Sequence, residues 1–287
     1  MKTKLFTIAT FVAFVFFIGC NSSDDSKDNT NPSATANDQV VIDSKIDASV
    51  EDVSNIVEDQ FSMKQTSITA KSEVFKSFLP ACAVTTWTYA NGIFTGSIDF
   101  GTDGCALENG NVLKGKITLS FSGNFTTSEQ TITYSFDGFY HNGIKIQGSK
   151  SITRSLKSTS LLADIHPVLT HTIDLTVTFE DGSVYSRVGN RTKEMVAGYA
   201  TKDNWSDNVF LVTGNYTTSK PNGNTWSSTI QTPLRYEMAC KRPFPVSGTV
   251  LKVNNGVETL IDFGTGTCDN LASATTNGVT TSIDLKK

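Results

Sequence analysis

The chain has little of what several functional classes require. Its 287 residues include only three histidines and seven prolines, and 28 acidic against 24 basic side chains give a net charge of −4. Because a nucleic-acid-binding surface is basic, this balance argues against a nucleic-acid partner. Disordered chains have fewer apolar residues than this one, of which 38% is hydrophobic. The composition predicts a folded protein that does not bind nucleic acid.

Sequence signatures of common enzymes are also missing. The chain has no His-Glu-x-x-His, Cys-x-x-Cys or Gly-x-Ser-x-Gly motif, no phosphate-binding loop and no dinucleotide fingerprint. His171 falls on the apolar side of an alternating segment, which predicts a core histidine. His141 lies beside an Asn-Gly turn and is expected to be exposed, and His166 is expected in a loop. We predict no catalytic residue, no metal site and no cofactor.

The N-terminus is organised like an export signal. A short basic start precedes an uncharged apolar run over residues 5–18, and Gly19 then precedes Cys20. The run is shorter than the about 20 residues that span a bilayer, which is typical of a signal peptide. A cysteine at this place resembles the bacterial lipoprotein signal. The resemblance implies that residues 1–19 are removed and that Cys20 is acylated, so that its lipid chains (palmitate, for example) hold the protein on the bilayer.

A polar segment follows the cysteine. Residues 20–45 are predicted to form a flexible tether, because the stretch after Cys20 has few apolar side chains to bury. Ser23, Asp24 and Asp25 resemble the acidic surface-export signal that follows the lipidated cysteine in Bacteroidota lipoproteins. This resemblance implies a lipid-anchored protein of the outer membrane that faces the cell exterior.

One helix is predicted, from Ala48 to Lys64, within an N-terminal helical segment over residues 46–79. Apolar side chains recur there at spacings of three and four, as on one face of a helix; they are Val50, Val53, Ile56, Val57 and Phe61. The acids of the segment lie off this stripe. We expect the helix to pack on one end or edge of a sheet. The alternative is a docking helix for a partner.

The remaining residues, 80–287, are predicted to form an all-β domain. Apolar and polar side chains alternate over many short segments, the longest being Leu169–Phe179, which is typical of strands with one buried face. Asn-Gly pairs at 91, 109, 142, 222, 255 and 277 and Asp-Gly pairs at 103, 137 and 181 favour hairpin turns. We therefore expect an antiparallel meander of about fourteen strands, as a sandwich or a barrel-like sheet.

The domain contains an internal repeat with cysteines at its edges. Ile-Asp-Phe-Gly-Thr occurs at 98–102 and at 261–265, and each copy lies between two cysteines, in segments 82–105 and 240–268. With Cys20 acylated, the other four cysteines form an even set in an oxidising compartment. We predict the disulfides Cys82–Cys105 and Cys240–Cys268, each closing its own hairpin. The crossed pairing, Cys82–Cys240 with Cys105–Cys268, stays open at this stage.

The paired Asp-Phe-Gly…Cys segments resemble a family of Bacteroidota outer-membrane or surface lipoproteins. The likeness extends over most of residues 80–287 and agrees with the signal, tether and helix that precede them. No activity is assigned to that family. The resemblance therefore implies a location and a β fold, and it carries over no catalytic residue.

Two sets of side chains are candidates for a function. Asp99 and Asp262 recur in the two copies of the repeat, and paired carboxylates can serve acid–base chemistry. The structural interpretation is that each caps the turn that follows it. Trp205, in a polar loop with Asp203 and Asp207 on either side, is the exposed aromatic residue best placed to bind a ligand.

The sequence thus predicts a surface-exposed outer-membrane lipoprotein that acts as a non-enzymatic binding or scaffold module. It could serve as an accessory subunit of an outer-membrane complex, with another outer-membrane protein as partner. The first alternative is a glycan-binding lipoprotein that uses Trp205. A further alternative is a hydrolase that depends on the carboxylates of Asp99 and Asp262.

Overall fold

The computed structural model describes residues 32–69, 77–201 and 204–286. They form one long helix and a sheet of fourteen strands. The predicted signal peptide, Cys20 and Asp203 lie outside the described residues. The helix α1 is Pro32–Thr69, and the strands are β1 Val84–Ala90, β2 Ile93–Asp99, β3 Cys105–Ala106, β4 Val112–Ser122, β5 Glu129–His141, β6 Ile144–Lys157, β7 His166–Thr178, β8 Val184–Ala197, β9 Val209–Ser219, β10 Thr225–Glu237, β11 Ser247–Asn254, β12 Val257–Thr265, β13 Leu271–Thr276 and β14 Val279–Asp284.

The sheet is an antiparallel meander, as predicted. Each strand pairs with its neighbours in the sequence, except that the short β3 pairs only with β4, and β4 also pairs with β2. The order therefore runs from β1 at one edge to β14 at the other. The structure is one sheet that is not closed into a barrel.

Most of the predicted turns join strands. At Asn91, Asn142, Asn255 and Asn277 both the asparagine and the following glycine have positive φ, as tight two-residue hairpins require. The pair at 137–138 is the exception, because it lies inside β5. There Gly138 has a φ of 55°, and the pairing with β4 and with β6 shifts register close by. This Asp-Gly pair therefore marks an irregularity within a strand.

The sheet curls around α1. Residues from β4 to the end of β14 reach the helix: the rings of Phe121 and Phe61 are 5.0 Å apart, and Ser44 Oγ donates to the carbonyl of Leu285 at 2.9 Å. Glycines permit sharp bends within strands. Gly115 and Gly248 have φ values of 77° and 110°, and each lies at a register shift.

The helix differs from its prediction in length and in position. It begins at Pro32, sixteen residues before Ala48, so residues 32–45 belong to the helix and the predicted tether is shorter at this end. It does not pack on an end or an edge of the sheet. Ile46 and Val57 are fully buried, and so are polar residues such as Ser49 on other faces. Because the sheet surrounds it, the helix occupies the centre of the domain.

Two disulfides join the predicted pairs. Cys82, just before β1, is bonded to Cys105 in β3, with their Cα atoms 5.8 Å apart. Cys240, after β10, is bonded to Cys268, beyond β12, with their Cα atoms 5.3 Å apart. Each bond spans one hairpin of the repeat, β1–β2 in the first copy and β11–β12 in the second. The crossed pairing is thereby excluded in this structure.

Candidate functional site

The interior between helix and sheet is strongly charged. Asp43, Asp47 and Glu51 follow one another at intervals of four along α1, so they lie along one side of the helix. Arg187, Arg191 and Lys193 alternate along β8 and therefore share its inner face. The two rows meet in ion pairs: Asp43–Arg187, Asp47–Arg187, Asp47–Arg191 and Glu51–Lys193.

Asp43 is the most heavily hydrogen-bonded of these acids. Each of its carboxylate oxygens accepts bonds from three groups, contributed by strands β8 to β11; the donors are Arg187, Thr218, Trp226, Ser228 and Lys252. Burial alone would raise the pKa of Asp43. The charges of Lys252 and Arg187 outweigh that effect and lower this pKa below its ordinary value. We call Asp43 and these five donors the Asp43 cluster.

Two of the three histidines are placed differently from their predictions. His141 is buried, not exposed, and its Nε2 lies 2.8 Å from Asp52 of the helix. The turn beside it did not predict this, because the side chain of this last residue of β5 points to the helix. His166 lies in β7, not in a loop, and its Nε2 is 2.9 Å from Glu194. Both side chains therefore have structural partners.

A cavity of about 270 Å³ lies between the second half of α1 and strands β6 to β9. We call it the His171 cavity. Apolar side chains cover part of its wall, and charged or hydrogen-bonding groups cover the rest. Residues from the helix, the strands and the loop after β8 line it; those used below are Glu58, Arg154, Leu169, His171, Lys193, Met195, Trp205 and Phe210.

Two residues that line this cavity each have a buried polar atom without a partner. The atoms are Nε2 of His171 and Oε1 of Glu58, neither of which has a hydrogen-bond partner among the described residues. His171 is 4% exposed, in agreement with the predicted core histidine. Burial, with the positive charges of Lys150 and Lys193, lowers the pKa of His171 well below its ordinary value. The imidazole is therefore neutral at pH 7.

The carboxyl of Glu58 lies in a similar environment. Its Oε2 is 3.8 Å from Nε of Arg154, and the side chain is 17% exposed. Burial raises the pKa of Glu58 to about 7, although Arg154 and Lys193 act in the opposite direction. Near neutral pH this group is thus present in both protonation states, and can either donate or accept a hydrogen bond.

Trp205 lies at the wall of this cavity and is half-buried, whereas the sequence suggested an exposed ring. It begins a short 3₁₀ helix, Trp205–Asp207. Its ring stacks on Phe78, with centroids 4.7 Å apart, and lies 6.1 Å from the ring of Phe210. A second cavity, of about 290 Å³, lies beside Phe78 and is also lined by Trp205. The predicted role of Trp205 in ligand binding stays a prediction.

The repeated aspartates cap turns, as the structural interpretation predicted. Oδ1 of Asp99 accepts a bond from the amide of Gly101 at 2.9 Å, and Oδ1 of Asp262 accepts one from Gly264 at 2.8 Å. Asp99 also pairs with Lys116 at 3.1 Å. The two residues lie on β2 and β12, near opposite edges of the sheet. The repeat thus conserves turn geometry and does not bring the two strands together as neighbours.

The interior charges were not identified from the sequence, although a signal exists. Acids at intervals of four on α1, together with bases at odd positions of β8, form matching rows. Tyr185, which is buried, has the same parity as those bases. The sequence of β8 does not show which face is buried, however. Val188 is apolar but lies on the face opposite to the buried bases and is 50% exposed.

Comparisons with known proteins identify no relative. No family model matches the chain, and neither a curated protein nor a solved structure matches it significantly. The resemblance to Bacteroidota lipoproteins therefore stays a prediction from the sequence. Within the part of the chain that the structure describes, no helix is apolar enough over sufficient length to cross a membrane. Nor do the described side chains include a group of three or more His, Cys, Asp or Glu that could hold a metal ion.

Proposed function

We propose that this protein is a lipid-anchored, surface-exposed outer-membrane protein that acts as a non-enzymatic binding module, with the His171 cavity as its ligand site. One observation carries the proposal: His171 lines the cavity, and its buried Nε2 has no partner among the described residues. Leaving a buried acceptor unsatisfied costs about 1–3 kcal/mol. A bound ligand that donates a hydrogen bond to Nε2 would remove this cost.

The charges along α1 support binding rather than acid–base chemistry. A general base must come within hydrogen-bond reach of the proton that it removes. The carboxylate of Asp43 is instead surrounded by its five donors, and the carboxylates of Asp47 and Glu51 are ion-paired with β8. These acids hold the helix in the sheet.

The location rests on the sequence. Cys20→Ala should abolish acylation and move the protein from the membrane fraction to the soluble fraction, because the acyl chains on Cys20 are the proposed anchor. Protease treatment of intact cells should degrade the unaltered protein if it faces outward. A Cys20→Ala protein that stays in the membrane fraction would contradict the proposed anchor.

Ligand binding is tested on the full-length protein in detergent. Thermal unfolding is followed with three classes of probe: a neutral saccharide (maltose), a dicarboxylate (succinate) and a polyamine (spermidine). A ligand that binds the folded state raises the unfolding temperature. It should also change the fluorescence of Trp205, a change that Trp205→Phe removes and the matched variant Trp87→Phe keeps. If no class of probe has either effect, the proposed function is wrong.

A second candidate function is that of an accessory subunit. The two edge strands of the sheet favour it: each of β1 and β14 pairs with one strand only among the described residues, and Tyr89 on β1 is 60% exposed. Strand edges can pair with another chain. A pull-down of the lipidated protein from detergent-solubilised outer membranes, read by quantitative mass spectrometry, tests this role. A stoichiometric membrane-protein partner supports it, and recovery of the protein alone contradicts it.

A further inference from the structure

The hydrogen-bonding capacity of His171 is set by Ser54. The hydroxyl of Ser54 donates its one hydrogen to the carbonyl of Val50, at 2.6 Å. Its oxygen therefore has to accept when it meets Nδ1 of His171, at 3.5 Å. The imidazole is neutral and carries one proton, so this arrangement assigns the proton to Nδ1. The buried Nε2 of this cavity-lining residue is consequently a hydrogen-bond acceptor that lacks a donor.

The charges around the cavity oppose a charged ligand. Burial lowers the pKa of His171, and charges on Lys150, Lys193 and Arg191 lower it further. The charges of Lys193 and Arg191 would repel a ligand ammonium group, and Lys150, whose own pKa burial lowers to about 7, would add part of a charge. An anion would approach Glu58, and the cations that could attract it are already engaged. Arg154 pairs with Glu58, Lys193 with Glu51 and Arg191 with Asp47, and Nζ of Lys150 donates to Oγ of Ser54 at 3.4 Å.

The cavity wall also has apolar side chains among its polar ones, and the space is small. Leu169, Met195 and Phe210 provide aliphatic and aromatic surface, and Trp205 closes one side. Pockets that hold drug-sized ligands measure about 300–1,000 Å³, so about 270 Å³ accommodates a smaller molecule. A wall that combines apolar side chains with hydrogen-bonding groups suits a ligand that has both apolar and hydrogen-bonding groups.

We infer that the His171 cavity binds an uncharged, hydroxyl-bearing ring of about the size of one sugar unit. One hydroxyl of the ligand donates to Nε2 of His171, a second interacts with Oε1 of Glu58, and the C–H face of the ring packs on the apolar side chains of the wall. This inference rests on the proposed function and adds the chemical class of the ligand. It also differs from the glycan hypothesis based on the sequence, because His171 and Glu58, rather than an exposed Trp205, determine recognition.

The test compares neutral and charged versions of one ring. Isothermal titration of the full-length protein in detergent uses methyl β-D-glucopyranoside, glucuronate and glucosamine as probes. We expect the neutral glycoside to bind about tenfold or more tightly than either charged probe. Stronger binding of glucuronate or of glucosamine would overturn the inference while leaving a binding module in place.

Variants at two histidines identify the site. His171→Leu removes the acceptor, and the donor of the bound ligand then lacks a partner, so affinity should fall about tenfold or more. His171→Gln offers an amide oxygen and should restore part of the affinity. His166→Gln is the matched control, since His166 is equally buried but pairs with Glu194 outside this cavity. Its affinity should match that of the unaltered protein.

The possible outcomes separate the two proposals. If the glycoside binds equally well to the His171→Leu and the unaltered protein, recognition lies elsewhere and the inference is wrong. If circular dichroism shows that both His171 variants are unfolded, Glu58→Leu provides the second measurement. It removes both carboxylate oxygens and should weaken binding of the glycoside. If no ring binds, while succinate or spermidine raises the unfolding temperature, only the ligand class is wrong. If no probe has any effect, the cavity holds water only and both proposals fail.

Discussion

The two halves of the helix–sheet interface differ in how completely their buried charged groups are hydrogen-bonded. In the Asp43 cluster, at the first half of α1, each carboxylate oxygen has three donors. At the second half, Glu58 has a single ion pair of 3.8 Å and an oxygen without a partner. His171, across the same cavity, also has an atom without a partner. Both regions are buried, so burial alone does not distinguish a structural charge from a functional one.

The difference lies in how completely the polar groups are satisfied. A buried ionic group contributes to a unique structure when all its hydrogen-bonding positions are filled, and it is costly when they are not. The Asp43 cluster meets that condition and fixes the position of the helix. The His171 cavity does not meet it, and we therefore assign the binding function there.

The largest expected effect comes from breaking the satisfied region. Asp43→Ala would leave Arg187 and Lys252 buried, with Lys252 losing its carboxylate partner, and should lower the free energy of unfolding by about 3–5 kcal/mol. Urea denaturation followed by circular dichroism measures this change. Asp181→Ala, at an exposed turn between β7 and β8, is the control and should have a much smaller effect. Similar losses from both variants would contradict the structural role of the cluster.

Removing each disulfide tests whether the two ends of the sheet also differ in how much they contribute to stability. Their separations in the sequence are 23 and 28 residues, and loops of these lengths predict a loss of about 3 kcal/mol for either bond. Replacing Cys82 and Cys105 by serine should therefore cost nearly as much as replacing Cys240 and Cys268. Denaturation of the two double variants measures both losses. Markedly unequal losses would mean that the ends of the sheet differ in stability for reasons other than charge.

Much of the fold could be predicted from the sequence, because it depends on local patterns. Alternation of apolar and polar residues identified the strands, and Asn-Gly pairs identified turns such as Asn91 and Asn277. The duplicated cysteine segments indicated the two disulfides. Each of these signals involves residues that are close together in the chain.

The central position of the helix and the site could not be predicted in that way. Asp43 lay in the predicted tether, and acids off the apolar stripe of a helix are normally solvated. The partners of Asp43 and Asp47, such as Arg187 and Lys252, lie 140 or more residues further along the chain. The burial of His141 has the same origin, since its partner Asp52 is 89 residues away. Local patterns carry no information about such pairings.

A third prediction concerns the unsatisfied region. The pKa of Glu58 rises from 4.5 to about 7 in the folded protein. The folded state therefore binds more protons between these pH values, and the contribution of this group to stability is lost as the pH rises through about 7. Glu58→Gln cannot ionise and should stabilise the protein by about 3 kcal/mol at pH 8, and hardly at pH 4.

The measurement is urea denaturation of Glu58→Gln and the unaltered protein at both pH values. Gln keeps the shape of the side chain, so packing around Arg154 should change little. A gain of the same size at pH 4 and pH 8 would show that ionisation of Glu58 is not the cause. A loss at pH 8 would mean that the ion pair with Arg154 outweighs burial. The charge of Glu58 would then stabilise the fold, as that of Asp43 does.

The smallest expected effects come from making one substitution in both regions. Trp226→Phe removes an indole N–H that donates to both oxygens of Asp43, at 3.1 and 3.0 Å. Loss of a hydrogen bond to a buried charge should cost about 1.5–3 kcal/mol. Trp205→Phe keeps an aromatic ring against Phe78, and aromatic pairs contribute about 0.5–1.5 kcal/mol, so the loss should stay below about 1 kcal/mol.

The difference between the two variants, measured by urea denaturation at pH 7, isolates the hydrogen bonds to Asp43 from ring packing. Equal losses would show that the indole contributes by its size alone, and that the satisfied and unsatisfied regions do not differ in the way the hydrogen bonds suggest.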